Sequence, residues 1–177
     1  MHPKILFNKR HLQEVTEQVP AAGTLRKNAN HFKMMSWADR TSENSAAKNK
    51  LEMYRQFKNR GCHYVDIDDG KGGVSSNRRS QMEKVQAGDV VHMYSGHVGE
   101  PKSFHFYGIV ETTYQNVPDH LQISQIPDLA KNLSDAGRKR RKLYMCSIRF
   151  SDSEVLTQEW RDILTQSGCG TIIPLKL

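Results

Sequence analysis

Cysteine is scarce: Cys62, Cys146 and Cys169 are the three in 177 residues, and no two share a CxxC spacing. The spacing gives no support to a zinc site, and the odd number gives none to a disulfide framework, so a reducing compartment is expected. Long hydrophobic runs are missing as well. The opening "MHPKILFNKRHLQEV" has too short an apolar stretch for a signal peptide, and no transmembrane segment is legible, so a soluble intracellular protein is expected. No internal repeat or low-complexity tract breaks the chain. The glycines of "DIDDGKGG" (66–73) lack the GxxxxGK[ST] frame of a phosphate-binding loop. The length suits one well-packed domain with little left for a second.

Charge of one sign is in surplus. Twenty-six Lys and Arg stand against 19 Asp and Glu, a net charge of +7. Such a balance favours an anionic partner, nucleic acid first, because counterions released from phosphates drive the contact. The densest run is "RKRRK", with Arg138, Lys139, Arg140, Arg141 and Lys142 in succession. It suits phosphate contact, or nuclear import in a eukaryotic or viral setting, while the plainer reading is a solvated loop. Arg78 and Arg79 extend the same candidate backbone-binding set.

Residues 1–30 read as a basic N-terminal extension, closed off by the breakers Pro20 and Gly23. "HFKMMSW" (31–37) reads as a strand. Residues 40–61 read as a helix, with Thr41 or Ser42 as cap, Ala47, Leu51, Tyr54 and Phe57 on one face and Gly61 as the stop. "CHYVDID" (62–68) reads as a buried strand and "NRRSQMEKV" (77–85) as a short helix. "GDVVHMYS" (88–95) and "SFHFYGIVETTY" (103–114) read as a strand pair joined by the polar loop "GHVGEPK". Pro127 to Gly137 suits a short helix, and "LYMCSIRF" (143–150) alternates as a strand. "TQEWRDILTQSG" (157–168) reads as a helix capped by Thr157, with Trp160, Ile163 and Leu164 packing inward.

At the hairpin, "EKVQAGDVVHMYSG" and "SFHFYGIVETT" resemble the strands of PUA-like domains of the EVE and YTH kind. The Gly88-Asp89 turn and the Gly108-Ile109-Val110 strand carry the resemblance, and "LYMCSIRF" and "LTQEWRDIL" fall where an EVE domain places its last strand and closing helix. The resemblance implies an α+β fold, a PUA-like small twisted β-barrel flanked by helices. The domain would span 31–177, with an insert near 115–142. It also implies a non-catalytic nucleic-acid-binding domain, DNA or RNA, that reads a modified or flipped base in an aromatic pocket, with no cofactor and no metal. Two departures are visible: no tryptophan stands just before the Gly-Asp turn, and the insert has no counterpart.

Such a pocket needs flat walls, groups that read a base edge and a basic rim. Trp37 is a candidate wall with Ser36 or Asn44 on the edge, although a core tryptophan is the plainer reading. Tyr94, Ser95 and His97 stand at a strand end, where binding groups are displayed. On the next strand His105 and Tyr107 face opposite to Phe104 and Phe106, so one set is core and at most the other lines a site. A rival reading is a small nuclease using His92, His97 or the Asp66, Asp68 and Asp69 cluster with Lys71, whose plainer reading is an acidic turn. A second rival is a viral or host-defence accessory factor that binds another protein.

Overall fold

The structure is a computed structural model that describes residues 29–34, 54–69, 71–117, 142–152, 154–166 and 171–177. Six strands, β1 (His31–Met34), β2 (Cys62–Asp66), β3 (Val90–Ser95), β4 (Phe104–Asn116), β5 (Leu143–Phe150) and β6 (Ile172–Pro174), form one sheet in the order β2-β5-β4-β3-β1-β6. The helices are α1 (residues 54–60), α2 (Ser76–Glu83) and α3 (Gln158–Gln166). The fold is therefore α+β. Only β1 and β3 run parallel; every other neighbouring pair is antiparallel.

The pleat turns successive side chains to opposite faces, and each face carries its own helix. On one face Phe32, Met34, Val91, Met93, Phe104 and Phe106 join the main core, together with Tyr54 and Phe57 of α1. The Tyr54 hydroxyl donates to the Met34 carbonyl at 3.2 Å and its ring meets Phe104 edge-on, which fixes α1 against that face. On the other face Leu156, Trp160, Ile163 and Leu164 form a second cluster with Tyr94, Leu175 and Leu177. The split of the β4 strand expected from its alternation holds, and both sets are buried: Phe104 and Phe106 under α1, His105 and Tyr107 beneath the opposite face.

The expected closed barrel is corrected. Among the described residues the sheet stays open, with β2 and β6 at opposite ends. A barrel requires its end strands to hydrogen-bond to one another, and here the two faces are instead covered separately by helices.

The Gly-Asp turn that opens β3 is built as the sequence suggests. Gly88 has φ 87°, a conformation that side chains disfavour. Its N–H donates to the Val110 carbonyl at 2.8 Å. Asp89, fully buried, accepts from the Asn30 amide at 3.0 Å and from the Gln86 amide at 2.9 Å. These bonds tie the start of β1 to the start of β3 and set the parallel register His31↔Val90. Thr157 caps α3, its Oγ1 accepting from the Trp160 amide at 3.3 Å. Ser75 caps α2 in the same way through the Arg78 amide.

Candidate functional site

Parallel pairing has one consequence for function: β1 and β3 finish at the same end of the sheet. β3 ends there in Tyr94 and Ser95, and Ser95 pairs with Phe104 at the start of β4. β1 ends there at Met34. Tyr94 is half-buried, and the Lys33 ammonium sits 5.8 Å from its ring centre. Lys33 itself is buried and donates from Nζ to the Leu164 carbonyl at 2.9 Å, a cation against the C-terminal turn of α3. Ser95 is half-buried, and the backbone bends away at Gly96, where φ is 82°. The Gly96 carbonyl accepts from Arg161 Nε at 3.3 Å. His97 is exposed at the start of the loop, with its amide bound to the Glu100 carboxylate at 3.1 Å.

Tyr94, Ser95 and His97 thus fall together at one rim. His105 and Tyr107 do not join them at the surface, being 1% and 3% exposed. Ser36, Trp37 and Asn44 lie outside the described residues, as do Arg138, Lys139, Arg140 and Arg141. Of the remaining cationic candidates, Arg78 donates from Nη1 to the carbonyls of Asp66 and Asp68 at 3.0 and 3.2 Å. Lys142 donates from Nζ to the carbonyls of Gly72 and Gly73 at 2.7 and 3.1 Å. Both hold the 66–75 loop. Arg79 is exposed and paired with Glu83 one turn on, at 2.9 Å.

The feature that the sequence reading missed is a column of three histidine rings on the α3 face. His31 Nδ1 lies 2.8 Å from His92 Nε2, and His92 Nδ1 lies 2.9 Å from His105 Nε2. The rings lie edge to edge, centres 5.1 and 5.2 Å apart and planes 20° from parallel, and the Trp160 indole covers them, closest to His92 at 4.4 Å. All three histidines are buried. Burial lowers the pKa of His31 to about 4 from its ordinary 6.5. The signal was present in the alternation: in "HFKM", His31 and Lys33 share one face while Phe32 and Met34 share the other.

The column also bears on the nuclease reading. His92 is sealed, and each of its ring nitrogens faces another histidine, so it has no path to a phosphodiester. The carboxylates of that reading serve their own loop. Asp66 Oδ1 accepts from the amides of Asp68 and Lys142. Asp69 Oδ1 accepts from the amides of Lys71 and Gly73, and these bonds lower its pKa. Among the described residues no group of three or more His, Cys, Asp or Glu side chains is arranged to hold a metal ion. No helix among them is long and apolar enough to cross a membrane.

No protein-family profile matches the chain. No curated protein matches it in sequence either. In three dimensions it is similar to a hypothetical protein from Leishmania major, at 12% identity and a TM-score of 0.38, with 85% of this chain and 88% of that one covered. It is also similar to a protein from Pseudomonas syringae, at 16% identity and a TM-score of 0.36, with 81% and 90% covered. Both likenesses are distant, and no functional conclusion rests on them.

Proposed function

We propose that this chain is a non-catalytic nucleic-acid-binding domain of the PUA-like kind, related in design to EVE and YTH domains, that reads a modified or flipped base. The base would be held at the rim where β1 and β3 end. The observation that carries the reading is the parallel β1–β3 pair, which delivers Tyr94 and Ser95 to the point where the chain leaves Met34. Two and three residues after Met34 the sequence supplies Ser36 and Trp37, a small hydroxyl and a flat ring. Flat rings and edge-reading hydroxyls are what an extruded base needs, with stacking worth roughly 1–3 kcal/mol per base.

The net charge of +7 supports the same reading through phosphate attraction. Arg79, which is exposed, and the run from Arg138 to Arg141 are the cations assigned to the backbone in this proposal. Such a protein works inside the cell, where nucleic acid is found.

The test is a titration with matched modified and unmodified oligonucleotides, DNA and RNA, at two salt concentrations. Preference for one modified base that survives the higher salt supports a base reader. Equal affinity across the panel that collapses with salt leaves only electrostatic binding, and binding indifferent to salt points to a protein-interaction factor.

A further inference from the structure

The histidine column has a protonation capacity that can be counted. A neutral imidazole carries one N–H and one bare nitrogen. Three rings offer six nitrogens, four of which face one another in the two inter-ring hydrogen bonds. Each bond uses one proton. In the neutral column the third proton therefore sits at an outer nitrogen, either His31 Nε2 or His105 Nδ1. A fourth proton fills the other outer position, and both bonds survive. A fifth has nowhere to go except between two nitrogens that already share a proton, and that sets two N–H groups head to head across 2.8 or 2.9 Å.

We infer that the His31–His92–His105 column is an acid-sensitive latch for α3, which takes up one extra proton intact and breaks on the second, unseating Trp160.

The surroundings favour few protons. The outer nitrogen His31 Nε2 is buried and has no hydrogen-bond partner among the described residues. On β1, Lys33 adds a positive charge, committed to the Leu164 carbonyl and lying over Tyr94 of β3. The buried Asp89, just before β3, is committed to two amides. From β4 the column meets Tyr107, whose ring lies 5.2 Å from His105, while Glu111 is turned to the surface and paired with Arg149. On α3, Glu159 and Asp162 are exposed and Arg161 points its Nε at Gly96. Before α3, the Glu154 carboxylate is exposed and pairs with Lys58, while its backbone carbonyl accepts from the His105 amide. Lys176 in the last residues is exposed. A single added charge has the Trp160 face, 4.4 Å from His92, to rest against.

The sign follows from linkage. Burial depresses His31 from 6.5 to about 4, so its neutral form stabilises the fold above the upper value and that contribution is lost as pH falls towards the lower. The unfolded chain protonates all three rings independently near their ordinary value, whereas the intact column accepts one extra proton. With His31 depressed to about 4, that extra proton binds only at the acid end, so the difference lies between two and three protons and the unfolding constant rises roughly a hundred- to a thousandfold per pH unit below about pH 5.5.

Trp160 reports on the latch once the other tryptophan is removed by Trp37→Phe. Its emission, followed from about pH 7.5 to about pH 4.5, is expected to shift to the red in one cooperative step with a proton slope between two and three. The triple variant His31→Phe, His92→Phe, His105→Phe removes every titrating ring nitrogen and should abolish the step. Should that variant not fold, histidine-ring NMR of the Trp37→Phe protein decides: the three rings are expected to change together, with N–H···N couplings across both pairs at neutral pH. A slope of one, three independent titrations, or the same step in the folded triple variant would overturn the latch.

Discussion

Gly108 stands where β4 pairs with the end of β5, and a methyl group added there would run into the Arg149 carbonyl and lie 2.8 Å from Ile148 Cγ2. Backbone does not yield as a flexible side-chain tip does, so Gly108→Ala is expected to cost about 1–3 kcal/mol in a urea unfolding curve. Asp89→Ala leaves the Asn30 and Gln86 amides without their carboxylate, and about 2–4 kcal/mol is expected to go with them. Asp89→Asn retains one acceptor oxygen and should lose less. Burial raises the pKa of the Cys62 thiol and pushes that of Cys146 up to about 12. Alkylation near pH 8, mapped by mass spectrometry, should therefore spare both in the folded protein and modify both in denaturant.

Helix α3 depends on a few side chains that all point at the sheet. Trp160, Ile163 and Leu164 are buried, and Trp160 spans the whole histidine column. Trp160→Ala is expected to cost about 3–5 kcal/mol, seen by thermal or urea unfolding, because the cavity would be lined by rings that cannot collapse together. That helix was legible in the sequence, since an apolar stripe at helical spacing with a threonine cap has few other readings. β3, β4 and β5 were legible for a similar reason, their alternation matching the pleat.

Beyond the β3–β4 hairpin, what the sequence could not give was which strands pair. The parallel β1–β3 contact joins segments about sixty residues apart, and nothing local encodes it beyond the Asp89 carboxylate reaching back to Asn30. For the same reason the column was hidden: His31, His92 and His105 come from three strands, and only the sheet order makes them neighbours. His105 and Tyr107 looked like candidates for display because polar rings alternated with Phe104 and Phe106. A sheet covered by a helix on each face buries both sets, and four of the six histidine ring nitrogens pair with one another there. Barrel closure was read from the resemblance, and the observed strand order leaves the ends apart.

At the scale of the whole molecule, the chain carries a surplus of positive charge, and two strand ends build one rim. If phosphates are the partner, log affinity should fall linearly with log salt, and a charge-removing change at Arg79 should lower that slope by about one while leaving base preference untouched. Trp37→Ala should do the reverse, erasing preference while leaving the salt slope in place. The most direct measurement is therefore fluorescence-anisotropy titration of matched modified and unmodified oligonucleotides, at two salt concentrations, with wild type and Trp37→Ala side by side. A tenfold or greater preference, about 1.4 kcal/mol or more, that persists at higher salt and vanishes in Trp37→Ala is the predicted result. Identical affinities for every oligonucleotide in both proteins would contradict a base-reading rim.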